Sequence, residues 1–380
     1  MGAHGLLLNR TVKGTRMKVA IVHDWLGTTR GGAESVLIRL AQLYPQADIF
    51  CLTYSAASYP ELADRNVTTS WLGKLPGFLR RKTGLLTLFA PHAIEHLNLQ
   101  GYDLVISSSN SFAKGVITDD KAKHVCYCYS PMRYVWDYWP QWLNERTHNP
   151  LSRAYVSWLT HRLRQWDWYS SRRVDHWIAI SHTVAQRIDK YYQMPSTVIY
   201  PGVIDTKAFW DPQRPRHNYY ITLSTLTPYK RVDLAIAACI KSNRKLMVVG
   251  DGPQASQLRE LAKGHDSIVF MGRVSDAERI QYLQEARGLI FASEEDFGIA
   301  PLEAVAAGTP VIAYNKGGLT ETIVAGKSGL FFEKQTVSAL QTALDVFEAK
   351  AWDPQICHQQ AKQYDMELFD KAITKEISRA

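Results

Sequence analysis

Cysteine is scarce in this chain of 380 residues: there are five, an odd number that offers no paired disulfide framework and fits a reducing compartment. Long apolar runs are missing as well. Nothing approaches the ~20 residues that a bilayer-spanning helix requires, and Gly5-Leu-Leu-Leu8 is too short and lacks the cleavage site of a signal peptide. The expected address is cytoplasmic. No G-x-G-x-x-G opens a helix, so the dinucleotide fingerprint is absent. Cys126 and Cys128 alternate as strand residues do and read as core rather than metal ligands. The net charge of +8 and pI near 9.1 favour a polyanionic partner. No DNA- or RNA-binding motif accompanies that charge, so nucleic acid is not expected.

What is present is a large core and a repeating order. With 46% hydrophobic residues the chain can bury ample apolar surface, and its length suits two domains or three. Short apolar runs at Val19 to His23, Ile49 to Thr53, Leu104 to Ser107, Val125 to Tyr129 and Trp177 to Ile180 alternate with longer helical stretches. A second set follows Tyr200-Pro-Gly-Val-Ile-Asp205: Tyr220 to Leu226, Leu246 to Val249, Ile268 to Met271, Leu289 to Ala292 and Val311 to Tyr314. This alternation predicts an α/β chain with two parallel, doubly wound sheets, each binding ligands beyond the carboxyl ends of its strands. Two such domains facing one another would enclose a cleft. The expected divisions are an unstructured extension over 1–16, an N-terminal domain over 17–200, a C-terminal domain over 201–365, and a last segment over 366–380.

One stretch is more informative than the rest: Phe291-Ala-Ser-Glu-Glu-Asp-Phe-Gly-Ile-Ala-Pro-Leu-Glu303, followed by Ala-Val-Ala-Ala-Gly308. It reads as strand, acidic loop and helix, with Pro301 in the first turn and Gly308 past the end. The N–H groups around Phe297, Gly298 and Ile299 would favour an anion such as a diphosphate above the strand. Glu295 would face the same cleft. Glu303, about one turn into the helix, would accept the two hydroxyls of a ribose.

That stretch resembles the E-x7-E motif of retaining glycosyltransferases of the GT-B fold, family four. The resemblance runs from Met17 onward through Gly31-Gly-Ala-Glu34, Cys128-Tyr-Ser-Pro-Met-Arg-Tyr134, Pro228-Tyr-Lys-Arg-Val-Asp233, Val249-Gly-Asp-Gly-Pro253, Phe270-Met-Gly-Arg-Val274 and Gly317-Gly-Leu-Thr-Glu321, in order. Within the family the chain is most similar to bacterial mannosyltransferases of surface polysaccharide assembly. The resemblance implies a GT-B enzyme whose donor domain is the second one, with Glu295 and Lys230 catalytic. It implies donor contacts from Gly32, Lys230, Arg231, Gly272, Arg273, Val274, Phe297, Gly298, Ile299 and Glu303. GDP-mannose is the first donor expected and a UDP-sugar the second, with no other cofactor. A further implication is that a helix over Met366 to Ser378 returns to the N-terminal domain. The chain departs from the family at Thr225, where Arg is usual and where Arg231 or a remote cation would substitute, and at Tyr129, where many relatives carry His.

Asp-x-Asp does not occur, so the paired-aspartate metal site of the other glycosyltransferase architecture is missing and no catalytic metal is expected. For the acceptor, a lipid-linked or oligosaccharide hydroxyl, the candidates are Ser109, Arg133, Arg80 and Arg81. The cationic stretch Lys74 to Ala90 and the seven tryptophans between Trp136 and Trp177 suit the inner face of a membrane carrying anionic lipid. A Trp-rich core helix pair with a basic solvated face is the alternative. Rival readings are a non-hydrolysing nucleotide-sugar epimerase, a silent sugar-nucleotide binder, and a zinc hydrolase built on His92-Ala-Ile-Glu-His96.

Overall fold

The computed structural model describes residues 11–12, 15–28, 30–77, 86–147, 149–202 and 205–379. It divides into two compact units, Met1–Val203 with Phe369–Ala380, and Ile204–Leu368. Within the stretch expected to lack structure, Thr11–Val12 pairs antiparallel with Thr15–Arg16. Among the described residues, no helix is long and apolar enough to cross a membrane.

The first unit is built on a seven-stranded parallel sheet. Its order is Val67–Thr69, Asp48–Cys51, Val19–His23, Leu104–Ser109, Lys123–Cys128, His176–Ala179 and Thr197–Val198. Val19–His23 and Leu104–Ser109 are buried along their whole length, as strands covered on both faces must be. They lie side by side although 80 residues of chain separate them, because the winding direction reverses there. Asp24, at the carboxyl end of the first of them, ties this reversal down. Its carboxylate accepts N–H bonds from Asn110, Ser111, Phe112 and Ala113 at 2.6–2.9 Å. Four N–H donors on one carboxylate fix the loop that leaves the neighbouring strand.

Deeper in the same unit, Lys114 donates to Asp167 at 2.5 Å, with both side chains out of contact with water. The other Asp167 oxygen accepts from Trp136 Nε1 at 2.7 Å and Tyr192 Oη at 2.9 Å. The aromatic-rich helix Pro150–Ser171 is therefore tied to the sheet by polar bonds as well as by packing. The C-terminal helix Met366–Ile377 docks here through Asp370 on Arg39 Nε at 2.8 Å and Glu376 on His176 Nε2 at 2.9 Å.

The second unit has a six-stranded parallel sheet ordered Ile268–Gly272, Leu246–Val249, Tyr220–Leu223, Gly288–Phe291, Val311–Tyr314 and Gly329–Phe332. Numbered along the unit, this is the doubly wound order of a dinucleotide-binding sheet. Helices Val232–Lys241 and Val337–Glu348 cover one face, where Val248, Ile290 and Ile312 meet Leu340, Leu344 and Phe347. Three strands lie outside the sequence expectation: Val67–Thr69, Thr197–Val198 and Gly329–Phe332. They are short or begin with glycine, and all sit at or near a sheet edge where apolar patterning is weakest.

Removing one partner of a buried pair leaves the other charge uncompensated, at a cost on the order of 3–5 kcal/mol. Asp167→Ala is accordingly expected to lower the melting temperature of the first unit sharply. The double variant Lys114→Met/Asp167→Leu is expected to lose less than the single one, as read by thermal unfolding.

Candidate functional site

The second unit's winding reverses between Tyr220–Leu223 and Gly288–Phe291, and in sheets of this kind ligands bind past the carboxyl ends of the strands at that point. Each strand sends one charged residue there. After the first, a single 3₁₀ turn over Pro228–Lys230 leads into helix Val232–Lys241. After the second comes the acidic loop with Glu295. Lys230 Nζ donates to Glu295 Oε1 at 2.7 Å, and Ser293 Oγ donates to the same oxygen at 3.0 Å. The ammonium lies 4.8 Å from the Tyr229 ring centre and 5.6 Å from that of Phe291. Burial by itself would depress the lysine; Glu295 and Tyr229 outweigh it and hold its pKa above the usual lysine value.

Glycine holds both loops in place by letting backbones touch. Gly318 N–H donates to the Glu295 carbonyl at 2.7 Å, and a Cβ at Gly318 would fall 2.3 Å from the Asp296 carbonyl oxygen. At Gly250 (φ +129) a Cβ would fall 1.9 Å from the Ser224 carbonyl oxygen. Gly250 and Gly318 thus face the backbone of the loops that carry Lys230 and Glu295.

Helix Ile299–Ala306 starts at Gly298 (φ 91) and places Glu303 inside the unit, 7% exposed. Phe297 is buried edge-on against Tyr364, with ring centres 5.8 Å apart. The Glu303 carboxylate makes no hydrogen bond among the described residues. Its charged partner is Arg279, with Nη2 3.4 Å from Oε1. Burial drives the Glu303 pKa up to about 7, with Arg279 pulling it down and Asp276 adding to the rise. Two glutamates eight residues apart therefore differ in kind: Glu295 is bonded to a cation, and Glu303 is a buried carboxylate with unused acceptor capacity.

Arg231, the cation expected to substitute for the arginine missing at Thr225, is paired within its own helix. It sits at φ 52, and its guanidinium is 3.2 and 3.3 Å from Asp233 at the start of its own helix. Thr225 is exposed. Arg273 is also exposed, 3.9 Å from Asp251, and Gly272, Val274 and Ile299 are half-buried. Arg279 was missed by sequence reasoning; it belongs to no motif, and its relation to Glu303 arises only when two helices pack.

In the first unit Gly32 opens helix Gly32–Leu43, and Gly31 N–H donates to Glu34 Oε2 at 2.7 Å. His23 Nδ1 lies 3.0 Å from Ser108 Oγ, and that hydroxyl lies 2.7 Å from Tyr129 Oη. Tyr129, in the place where relatives carry His, is thus bound into an internal network. Ser109 is buried too, and its hydroxyl accepts the Lys114 N–H at 3.2 Å, so it faces its own loop rather than an acceptor sugar. Arg133 pairs with Asp137 at 3.2 Å. Arg80 and Arg81 lie outside the described residues. The rings of His92 and His96 stack 3.9 Å apart, and among the described residues no three His, Cys, Asp or Glu side chains gather as a metal site.

Two parallel doubly wound sheets, each in its own unit, make up the GT-B architecture of glycosyltransferases. The chain is accordingly similar to Anabaena HepE solved with UDP, at a TM-score of 0.70 and 17% identity, over 96% of this chain and 100% of that one. Residues 30–207 match the model of Glycosyltransferase Family 4, and residues 205–364 that of Glycosyl transferases group 1. In both halves, then, the chain has the fold of the group 1 and family 4 glycosyltransferases. It is 28% identical over 183 residues to an O-antigen chain mannosyltransferase of Escherichia coli, covering 45% of this chain and 48% of that protein. It is 34% identical over 142 residues to a GDP-mannose-dependent phosphatidylinositol monomannoside mannosyltransferase of Mycobacterium tuberculosis, covering 33% and 36%. These matches span less than half the length of either curated relative.

The Glu303 proton is held more tightly in the folded unit than in the unfolded chain, where the ordinary glutamate value is 4.5. Its contribution to stability is therefore full below about pH 4.5 and is lost as pH rises to about 7. Thermal unfolding across that window should show the second unit weakening with pH, and Glu303→Gln should remove that part of the slope.

Proposed function

We propose that the protein is a retaining, metal-independent glycosyltransferase that moves a hexose from a nucleotide sugar to a hydroxyl of a lipid-linked or oligosaccharide acceptor. The observation that carries this reading is the Lys230–Glu295 pair at the reversal of the second sheet, with Glu303 buried on the helix that follows. The donor's diphosphate takes the Lys230 ammonium and the N–H groups at the start of helix Ile299–Ala306, an anion site of the kind helix ends provide. Glu303 accepts the ribose hydroxyls with the oxygens it leaves unused. Glu295, released toward the sugar, supports positive charge at the anomeric carbon as its bond to the phosphate oxygen breaks. The acceptor oxygen forms its bond on the same face and passes its proton to the departing phosphate. Preorganised charge at such a centre is worth about 10²–10³-fold in rate per group.

Mannose from GDP-mannose is the donor we favour, because two of the relatives are mannosyltransferases and one is named for GDP-mannose. A UDP-sugar is the second reading, favoured by the similarity to HepE, which has been solved with UDP and with UDP-glucose. We place the reaction in surface polysaccharide assembly at the inner face of the cytoplasmic membrane. Leu151, Tyr155, Trp158 and Tyr169 support that placement: they are all exposed and lie on helix Pro150–Ser171, which also bears Arg162 and Arg172 beside it.

Thermal shift with GDP-mannose, GDP, UDP-glucose and UDP, in EDTA, tests the donor class. A ligand at 100 times its Kd adds about 2.7 kcal/mol. Stabilisation by GDP species is expected, stabilisation by UDP species would replace mannose with the second reading, and no shift with any of them would refute the transferase. In turnover assays Glu295→Ala should lower kcat about 10²-fold or more, and Glu303→Ala should chiefly raise the donor KM. Lys230→Ala should lower kcat and kcat/KM together, the signature of an interaction made in the transition state.

A further inference from the structure

Glu303 is a buried acceptor whose usefulness depends on its charge, and one side chain governs that charge. Helix Asp276–Glu285, capped by Ser275 with Glu278 in a reciprocal box, packs against helix Ile299–Ala306. From its first turn Arg279 extends to Glu303, its Nη2 3.4 Å from Oε1 and 3.3 Å from Asp276 Oδ1. Arg279 Nε is buried and has no hydrogen-bond partner. Asp276 is itself largely in water, with its side chain 87% exposed, so it screens the guanidinium only weakly. Other titratable side chains around this helix are Arg216, whose Nη2 donates to the Ala307 carbonyl at 2.8 Å, Tyr364, whose ring packs against Phe297, and His358, on helix Pro354–Ala361. It binds the Ala306 carbonyl through Nδ1 at 2.7 Å, and burial keeps it neutral. Buried polar atoms left without partners call for an explanation. Here the buried Arg279 Nε is such an atom, on the guanidinium that pairs with the Glu303 carboxylate.

We infer that Arg279 is a positioning residue for the donor: it keeps the Glu303 carboxylate ionised and aimed so that it can accept both ribose hydroxyls of a nucleoside diphosphate. The inference rests on the transferase reading above and extends it to a residue outside every motif of the chain. An ionised carboxylate accepts two hydroxyl hydrogens, whereas a protonated one must itself donate and accepts poorly. Loss of the guanidinium removes a positive charge that lowers the Glu303 pKa, so the acid form persists to higher pH. The site would then discriminate between ribose and a sugar lacking its hydroxyls only in alkaline solution.

The test is isothermal titration of the full chain with GDP and UDP and with their 2′,3′-dideoxy analogues, between pH 6 and 9. Wild type should bind the better ribonucleotide at least about tenfold more tightly than its dideoxy analogue at pH 7.5, the range expected when a hydroxyl leaves a buried acceptor unpaired. Arg279→Met should lose most of that preference at pH 7.5 and regain it toward pH 9, while affinity for the dideoxy analogue stays as in wild type. Arg279→Lys should retain part of the preference, with thermal melting confirming that both variants are folded. Arg279→Met binding the ribonucleotide like wild type would overturn the inference. So would an equal loss for both nucleotides at every pH, which would mark a purely structural role. If wild type binds neither ribonucleotide, the transferase reading itself fails, and this inference with it.

Discussion

The Lys230–Glu295 ion pair is the interaction around which the second unit is arranged. Lys230 closes a single 3₁₀ turn and Glu295 stands in a loop, each past the end of a strand. Only the reversal of winding makes those two strands neighbours. A parallel sheet carries its chain over helices, and the helix N-termini then gather at the same end as the loops. Cation, carboxylate and the start of helix Ile299–Ala306 thus arrive together as a consequence of topology. The Glu295 carboxylate beside it keeps the Lys230 ammonium charged despite its burial. A lysine alone in that position would be driven toward neutrality and could not receive an anion.

Environment, rather than residue type, separates the two glutamates. Glu295 has an ammonium and a hydroxyl on one oxygen. Glu303 lies among apolar helix residues, with a guanidinium at the limit of ion-pair distance. Burial pushes the Glu303 pKa up to about 7. The same division, in which strand ends supply polar groups and helices bury one of them, recurs in the first unit. There Asp24 spends its carboxylate on four backbone N–H groups, and His23, Ser108 and Tyr129 form a closed network beside it. The first unit uses its reversal to fix a loop, while the second uses its own to hold a charge pair.

Much of this was legible in the chain because apolar runs of four or five residues, such as Val19 to His23 and Val311 to Tyr314, are bounded by glycine and polar loops. Their order gave two sheets, and the spacing of Glu295 and Glu303 marked which loop and helix to watch. Roles that depend on direction were not legible. Ser109 reads as an exposed turn residue, yet the last strand turn points its hydroxyl inward to Lys114. Gly318 and Gly250 stand out in the chain only as members of motifs, and the crowding they relieve comes from neighbouring loops. Arg231 reads as a free cation, and its own helix supplies a carboxylate two residues on. Arg279 carried no local signal, since its partner is 24 residues distant and meets it only through helix packing.

The claim at the centre of this account is that Lys230 receives the donor's diphosphate. The most direct measurement is calorimetric binding of GDP and of guanosine to wild type and to Lys230→Met at one pH and ionic strength, with UDP and uridine in parallel. The account predicts that wild type prefers the diphosphate strongly over the nucleoside. It further predicts that Lys230→Met binds the nucleoside as before while most of that preference disappears. Undiminished affinity of Lys230→Met for the diphosphate would contradict it.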